Sequence, residues 1–186
     1  RILASTTISF DISNLEILSL VKGTEVILTD ENANKDPSKI LSLIDDNEIN
    51  IVQFTPSLMK QLCKTLDNKF YSGKSVKKIL IGGESWTDEL LNYIKRLFKA
   101  RIYNVYGPTE TTIWSTIKDL THDSVVLAGK PILNIQVFVL DQNLNIMPPD
   151  VPGELYISGY GLARGYLNDE NSTRQVFLPH PIKKGH

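Results

Sequence analysis

Three short stretches place chemically capable side chains at breaks in otherwise apolar runs: SFDIS (residues 9–13), IGGE (81–84) and NVYGPTE (104–110). In NVYGPTE, the Tyr106 ring offers a face on which a purine stacks. Gly107 lets backbone approach a ligand closely. The Thr109 hydroxyl can donate to a phosphate oxygen. Glu110 is a hard oxygen ligand suited to magnesium, which takes one or two carboxylates together with phosphates. The same residues also suit a plain Gly-Pro turn with Thr109 as a helix cap. In SFDIS, Asp11 stands among apolar residues, and a buried carboxylate is costly unless a cation or donors meet it. It reads either as a counter-ion for a ligand ammonium group or as a cap for the helix of NLEILSL (14–20). In IGGE, Gly82 and Gly83 permit positive φ and leave room for a flat ligand. An ordinary strand-to-helix turn, with Ser85 as N-cap and Asp88 three residues on, fits as well.

The bulk of the chain narrows the partners. Its 186 residues are 41% hydrophobic, enough for a real core, and carry 20 basic against 21 acidic side chains. A net charge of -1 gives no reason to expect nucleic acid or an acidic membrane surface. The single Cys63 excludes an internal disulfide and a cysteine zinc cluster, and fits a reducing, cytoplasmic location. His122, His180 and His186 are scattered, so no histidine metal site is expected. GELYISGYGLARGYL (153–167) holds four glycines, but no dinucleotide-type G-x-G-x-x-G and no G-x-S-x-G nucleophile elbow occurs. No apolar run approaches the roughly 18 residues of a membrane helix, and there is no signal-peptide pattern. The opening at Arg1 inside an apolar stretch and the close at PHPIKKGH suggest a piece of a longer polypeptide.

The elements that would position these residues alternate. TEVILT (24–29), INIVQF (49–54), KKILI (77–81) and RIYNVY (101–106) read as strands. Asp36-Pro37 opens a helix carrying Ile40, Leu43 and Ile44 on one face. A second helix runs over 56–66, and TDELLNYIKRLF (87–98) forms a third, acidic early and basic late. Such alternation predicts parallel strands with right-handed crossovers, in a sheet covered by helices on both faces. Ligands of these sheets bind at the carboxyl ends of the strands, where Gln53–Pro56, Gly82–Ser85 and Tyr106–Glu110 lie. Beyond about residue 120, NIQVFVLD and GELYISG alternate like half-exposed strands and DQNLN and PPDVPG read as turns, predicting a smaller β-rich subdomain over 121–186.

In this order and at these intervals, SFDIS, NVYGPTE and GELYISGYGLARGYL resemble core motifs of the adenylation domains of nonribosomal peptide synthetases, with IGGE a weaker fourth. The chain is also similar, more broadly, to acyl-CoA synthetases and luciferases, which usually lack the aspartate of the Phe-Asp pair. The resemblance implies part of the large N-terminal adenylate-forming domain over 1–120 and the start of a distorted-barrel subdomain after it. It implies two reactions. An amino-acid carboxylate attacks the α-phosphate of ATP, and a phosphopantetheine thiol on a carrier domain then takes the acyl group. Asp11 would pair with the substrate ammonium and Tyr106 would stack on adenine. Asn104, Gly83, Glu84 and Gly107 would surround the nucleotide, Thr109 would touch phosphate and Glu110 would help hold Mg2+.

By the same resemblance, Ile12, Leu15, Gln53, Leu80, Gly82, Val105, Ile113 and Trp114 enclose the substrate side chain. Ile12, Leu15, Gln53 and Trp114 are large, so the cavity should be small, and the set looks like the glycine-selecting signature. Trp114 could instead be a core residue, and Gln53 could hydrogen-bond inside the pocket rather than fill it. Three departures bear on activity. The family's Gly/Ser/Thr-rich phosphate loop, its TGD-type motif and its lysine-bearing C-terminal subdomain are not among these residues, so these residues alone are expected not to adenylate. An acyl- or aryl-CoA ligase and a noncatalytic adenylation-like module are the alternatives. The first would not need Asp11; the second is opposed by the intact NVYGPTE.

Overall fold

A computed structural model of the chain describes residues 1–66 and 75–180. Its elements run β1 (Ile2–Ala4), α1 (Ile12–Leu18), β2 (Val26–Leu28), α2 (Glu31–Asn34), α3 (Pro37–Asp46), β3 (Ile51–Phe54), α4 (Pro56–Thr65), β4 (Lys78–Ile81), α5 (Asp88–Leu97) and β5 (Arg101–Tyr106). After them come β6 (Thr116–Asp119), β7 (Lys130–Pro131), β8 (Ile135–Leu140), β9 (Glu154–Gly159) and α6 (Glu170–Val176). One sheet has seven strands in the order β2-β1-β3-β4-β5-β6-β7; the pairs from β2 to β5 are parallel and β5–β6 is antiparallel. The expected α/β architecture is present.

The helices begin where their sequences allow it. Thr55 precedes Pro56 and caps α4, its hydroxyl accepting from the Leu58 amide at 3.3 Å. Asp36 caps α3 through the Ser38 amide at 2.9 Å. On α5 the cap is Thr87, which accepts from the Leu90 amide at 3.4 Å, and not Ser85. Gly83, at φ +88°, turns the chain out of β4, so the helix begins later than the Ser85 assignment supposes.

Strand alternation sorts the side chains. Leu3, Val52, Phe54, Ile79, Ile81 and Ile102 enter the main core with Ile40, Ile44, Met59, Leu62, Leu91 and Ile94. Gln53, Leu80, Tyr103 and Val105 therefore face the other side of the sheet. Gln53 is the register partner of Leu80, and Leu80 of Tyr103. Helices α3, α4 and α5 pack in series and α1 packs on β1. Right-handed crossovers put α1 on the Gln53 face, because β1 connects leftward to β2 whereas β3 connects rightward to β4. The point of reversal lies between β1 and β3, where open α/β sheets bind ligands.

The chain forms two compact units, Arg1–Tyr106 with Thr116–Lys130, and Gly107–Ser115 with Pro131–His186. In the second, β8 and β9 pair antiparallel in register from Ile135↔Gly159 to Leu140↔Glu154. The DQNLN turn closes on Asp141, whose Oδ1 accepts from the Asn143 and Asn145 amides, each at 2.8 Å. The last six residues of the expected 121–186 segment lie outside the described residues.

Candidate active site

In the first unit, Asp11 occupies the N-cap position of α1, but its side chain makes no capping hydrogen bond. The capping explanation for Asp11 is thereby withdrawn. Its backbone is already helical (φ −61°, ψ −25°), which turns the carboxylate away from the first-turn amides. Its Oδ2 is buried with no hydrogen-bond partner, and so is Oε1 of Gln53. Both residues sit at the reversal point, one after β1 and one near the end of β3. Buried polar atoms are almost always paired in folded proteins, so two unpaired acceptors here are what a cation-bearing or donor-bearing ligand would satisfy.

Gly83 joins the same neighbourhood. A Cβ at Gly83 would stand 3.8 Å from both Ile12 Cδ1 and Thr55 Cγ2. Ile12 and Leu15 are half-buried on α1, Leu80 is half-buried, and Gly82 and Val105 are buried. Glu84 is exposed, yet its Oε2 accepts from the Ser57 hydroxyl at 2.5 Å and amide at 3.3 Å. The carboxylate thus braces the start of α4. Asn104 is buried and also holds structure. Its Oδ1 accepts from Trp86 Nε1 and its Nδ2 donates to the Leu127 carbonyl, both at 2.9 Å. Tyr106 is 42% exposed.

In the second unit, Thr109–Thr111 is a single 3-10 turn with Pro108 at the cap position and no side-chain cap bond, so Thr109 is not a helix cap. Thr109 is exposed. Thr112 and Ile113 both take left-handed backbone, φ 62° and 65°. For β-branched residues this is strained, and strain of that kind gathers at binding sites. Trp114 is buried and its Nε1 has no partner. At Gly107 the space a side chain would fill is taken by the loop's own return: a Cβ would stand 2.6 Å from the Ile113 carbonyl oxygen. Gly107 is therefore required by the loop's own fold, a second reason for glycine at this position.

The glycine-rich segment laces this loop. The Ala163 amide donates to the Glu110 carbonyl at 2.7 Å, and the Thr112 hydroxyl to the Gly161 carbonyl at 2.6 Å. The Tyr166 hydroxyl donates to Glu110 Oε1. That bond holds the Glu110 carboxyl below the usual carboxylate range. An anionic, hydrogen-bonded carboxylate fits the hard-cation role expected for Mg2+. Neither Tyr166 nor the buried Glu16 of α1 is singled out by the sequence reading. Their partners lie too far along the chain for spacing to reveal them.

The family model for the AMP-binding enzyme matches residues 1–167. The chain belongs to the AMP-binding enzyme family. The dimodular nonribosomal peptide synthase of Bacillus subtilis (strain 168) is 40% identical over 184 residues, covering 97% of this chain and 8% of that protein. Bacitracin synthase 3 of Bacillus licheniformis is 37% identical over 187 residues, covering 97% of this chain and 3% of that protein. A crystal structure of a four-domain nonribosomal peptide synthetase bound to AMP and glycine superposes with a TM-score of 0.86 at 34% identity, over 97% of this chain and 13% of that one. This AMP-binding chain therefore spans a small part of the synthetases it resembles. Among its described helices none is long and apolar enough to cross a membrane.

Proposed function

We propose that the chain is the amino-acid- and nucleotide-binding part of an adenylation domain in a nonribosomal peptide synthetase, and that the whole domain activates glycine. The observation that carries this reading is the half-buried Asp11, whose Oδ2 is buried and unpartnered beside the strand-reversal point. An ammonium group supplies the missing charge and donors; a plain carboxylic acid does not. Residues 1–120 would carry both sites and 121–186 would begin the β-rich subdomain.

In the first half-reaction a glycine carboxylate oxygen bonds to the α-phosphorus of ATP, the bond to the pyrophosphate oxygen breaks, and glycyl adenylate results. These residues act by positioning and charge neutralisation. Asp11 anchors the ammonium. Tyr106 stacks on adenine, with Gly83 and Asn104 shaping its surroundings and Glu84 bracing the helix start beneath. Thr109 donates to phosphate, and Glu110 would hold Mg2+. When bound, the metal ion offsets phosphate charge. A carrier-domain phosphopantetheine thiol then displaces AMP. The relatives' products suggest antibiotic or other secondary-metabolite synthesis, with condensation and carrier domains as partners.

Glycine is favoured by volume. The resemblance assigns large side chains, Ile12, Leu15 and Gln53 among them, to the amino-acid cavity, and forcing even one extra methyl into a filled cavity costs about 1–3 kcal/mol. The full-length protein should show ATP–pyrophosphate exchange that depends on amino acid, with glycine the strongest. Exchange driven equally by plain carboxylic acids would favour an acyl- or aryl-CoA ligase, and no ATP binding would favour a noncatalytic module. The 186-residue chain alone should give exchange no higher than background.

A further inference from the structure

Glu16, on α1, is a carboxylate with no exposed surface, and the proposed reaction gives it no role. Burying it is costly, and burial pushes its carboxyl up. Its bonds show what offsets that cost. Oε1 accepts from the Thr6 hydroxyl at 2.8 Å and Oε2 from the Thr6 amide at 3.2 Å. The Ser5 amide also donates to it. Glu16 is no helix cap: its bonds run back past the start of α1 to the end of β1. They close a loop between residues 6 and 16 in which Asp11 stands midway.

The closed loop is bonded within as well. The Phe10 amide donates to the Thr7 carbonyl at 3.0 Å, and the Ser13 hydroxyl to the Phe10 carbonyl at 2.7 Å. The Asn14 amide donates to the Asp11 carbonyl at 2.9 Å. None of these bonds takes up Asp11 Oδ2, which stays buried and unpartnered. The loop is thus fixed at both ends and along its length, while its one carboxylate is left available. Ordering that is settled before a ligand arrives does not count against its binding.

We propose that Glu16 is a positioning residue, whose bonds to Thr6 hold Asp11 where it meets the substrate ammonium. This rests on the reading of Asp11 given above. Glu16 touches no substrate and acts only through the loop. In the full-length protein, Glu16→Ala should raise the amino-acid KM in pyrophosphate exchange by about 10- to 100-fold. The KM for ATP should be nearly unchanged. Glu16→Gln, which can still bond Thr6 at both atoms, should recover most of the loss, and Thr6→Val should reproduce part of it should Glu16→Ala not fold. The deciding arm is a cycle with Asp11→Asn. If Glu16 works through Asp11, the Glu16→Ala penalty shrinks in that background. An equal rise in both KM values, or a penalty undiminished beside Asp11→Asn, overturns the proposal. An Asp11→Asn variant with normal amino-acid KM instead overturns the reading of Asp11 itself.

Discussion

Trp114 carries the specificity question at the level of one side chain. It is buried with its ring N–H unpaired, and it follows two β-branched residues in left-handed backbone. Such backbone costs of order 1–3 kcal/mol per residue, which a merely space-filling tryptophan would not explain. If Trp114 belongs to the glycine-selecting set that the resemblance implies, Trp114→Ala in the full-length protein should widen acceptance toward larger amino acids. The measurement is exchange with alanine and valine relative to glycine. An unaltered substrate profile would remove Trp114 from the pocket. Asp11 stands out in the sequence as a charge among apolar neighbours and Gln53 as an amide at a strand end, whereas Trp114 enters only through the family resemblance. Glu16 was not legible there, since its meaning depends on burial and on a partner ten positions away. Tyr166 was missed for the same reason: its bond to Glu110 spans 56 positions.

The elements were legible where apolar runs were bounded by turn residues. The strands at 49–54, 77–81 and 101–106 and the helices opening at Pro37 and Pro56 appear with small changes of boundary. What escaped was short or mixed. β1 has three residues, β6 (Thr116–Asp119) holds a single apolar residue, and α6 has seven residues with only one of them apolar, too few to show a helical period. The start of α5 tests the cap assignment. Ser85 and Thr87 both have the chemistry, and only the turn at Gly83 decides between them. Thr87→Ala should weaken α5 by about 1 kcal/mol, whereas Ser85→Ala should leave it within about 0.5 kcal/mol. Hydrogen exchange of peptides covering α5, in the full-length protein, would report the difference. Equal effects would mean that the helix is held by packing alone.

For the molecule as a whole, a net charge of -1 leaves little global repulsion near neutrality, so acid sensitivity comes from individual carboxyls. Asp119 is the clearest. Its carboxyl lies at about 2 instead of 3.8, first because the Thr121 hydroxyl bonds it and then because Arg101 does. A depressed folded value stabilises at pH above the ordinary value and is lost as pH falls through the folded one. Asp119→Asn should therefore flatten the fall in stability between about pH 4 and 2, read from urea midpoints followed by tryptophan fluorescence. A slope identical to that of the unmodified chain would show the Arg101–Asp119 pair idle.

The insertion of β1 between β2 and β3 has a consequence in time. Ile2 must find Ile51 across 49 positions, and closing so long a loop is entropically dearer than the hand-to-hand joining of β3, β4 and β5. The corner proposed to bind the ammonium group therefore closes more slowly than that ladder once the whole sheet is present. Capture of the amino acid would then report that β1 has joined the sheet in its native place.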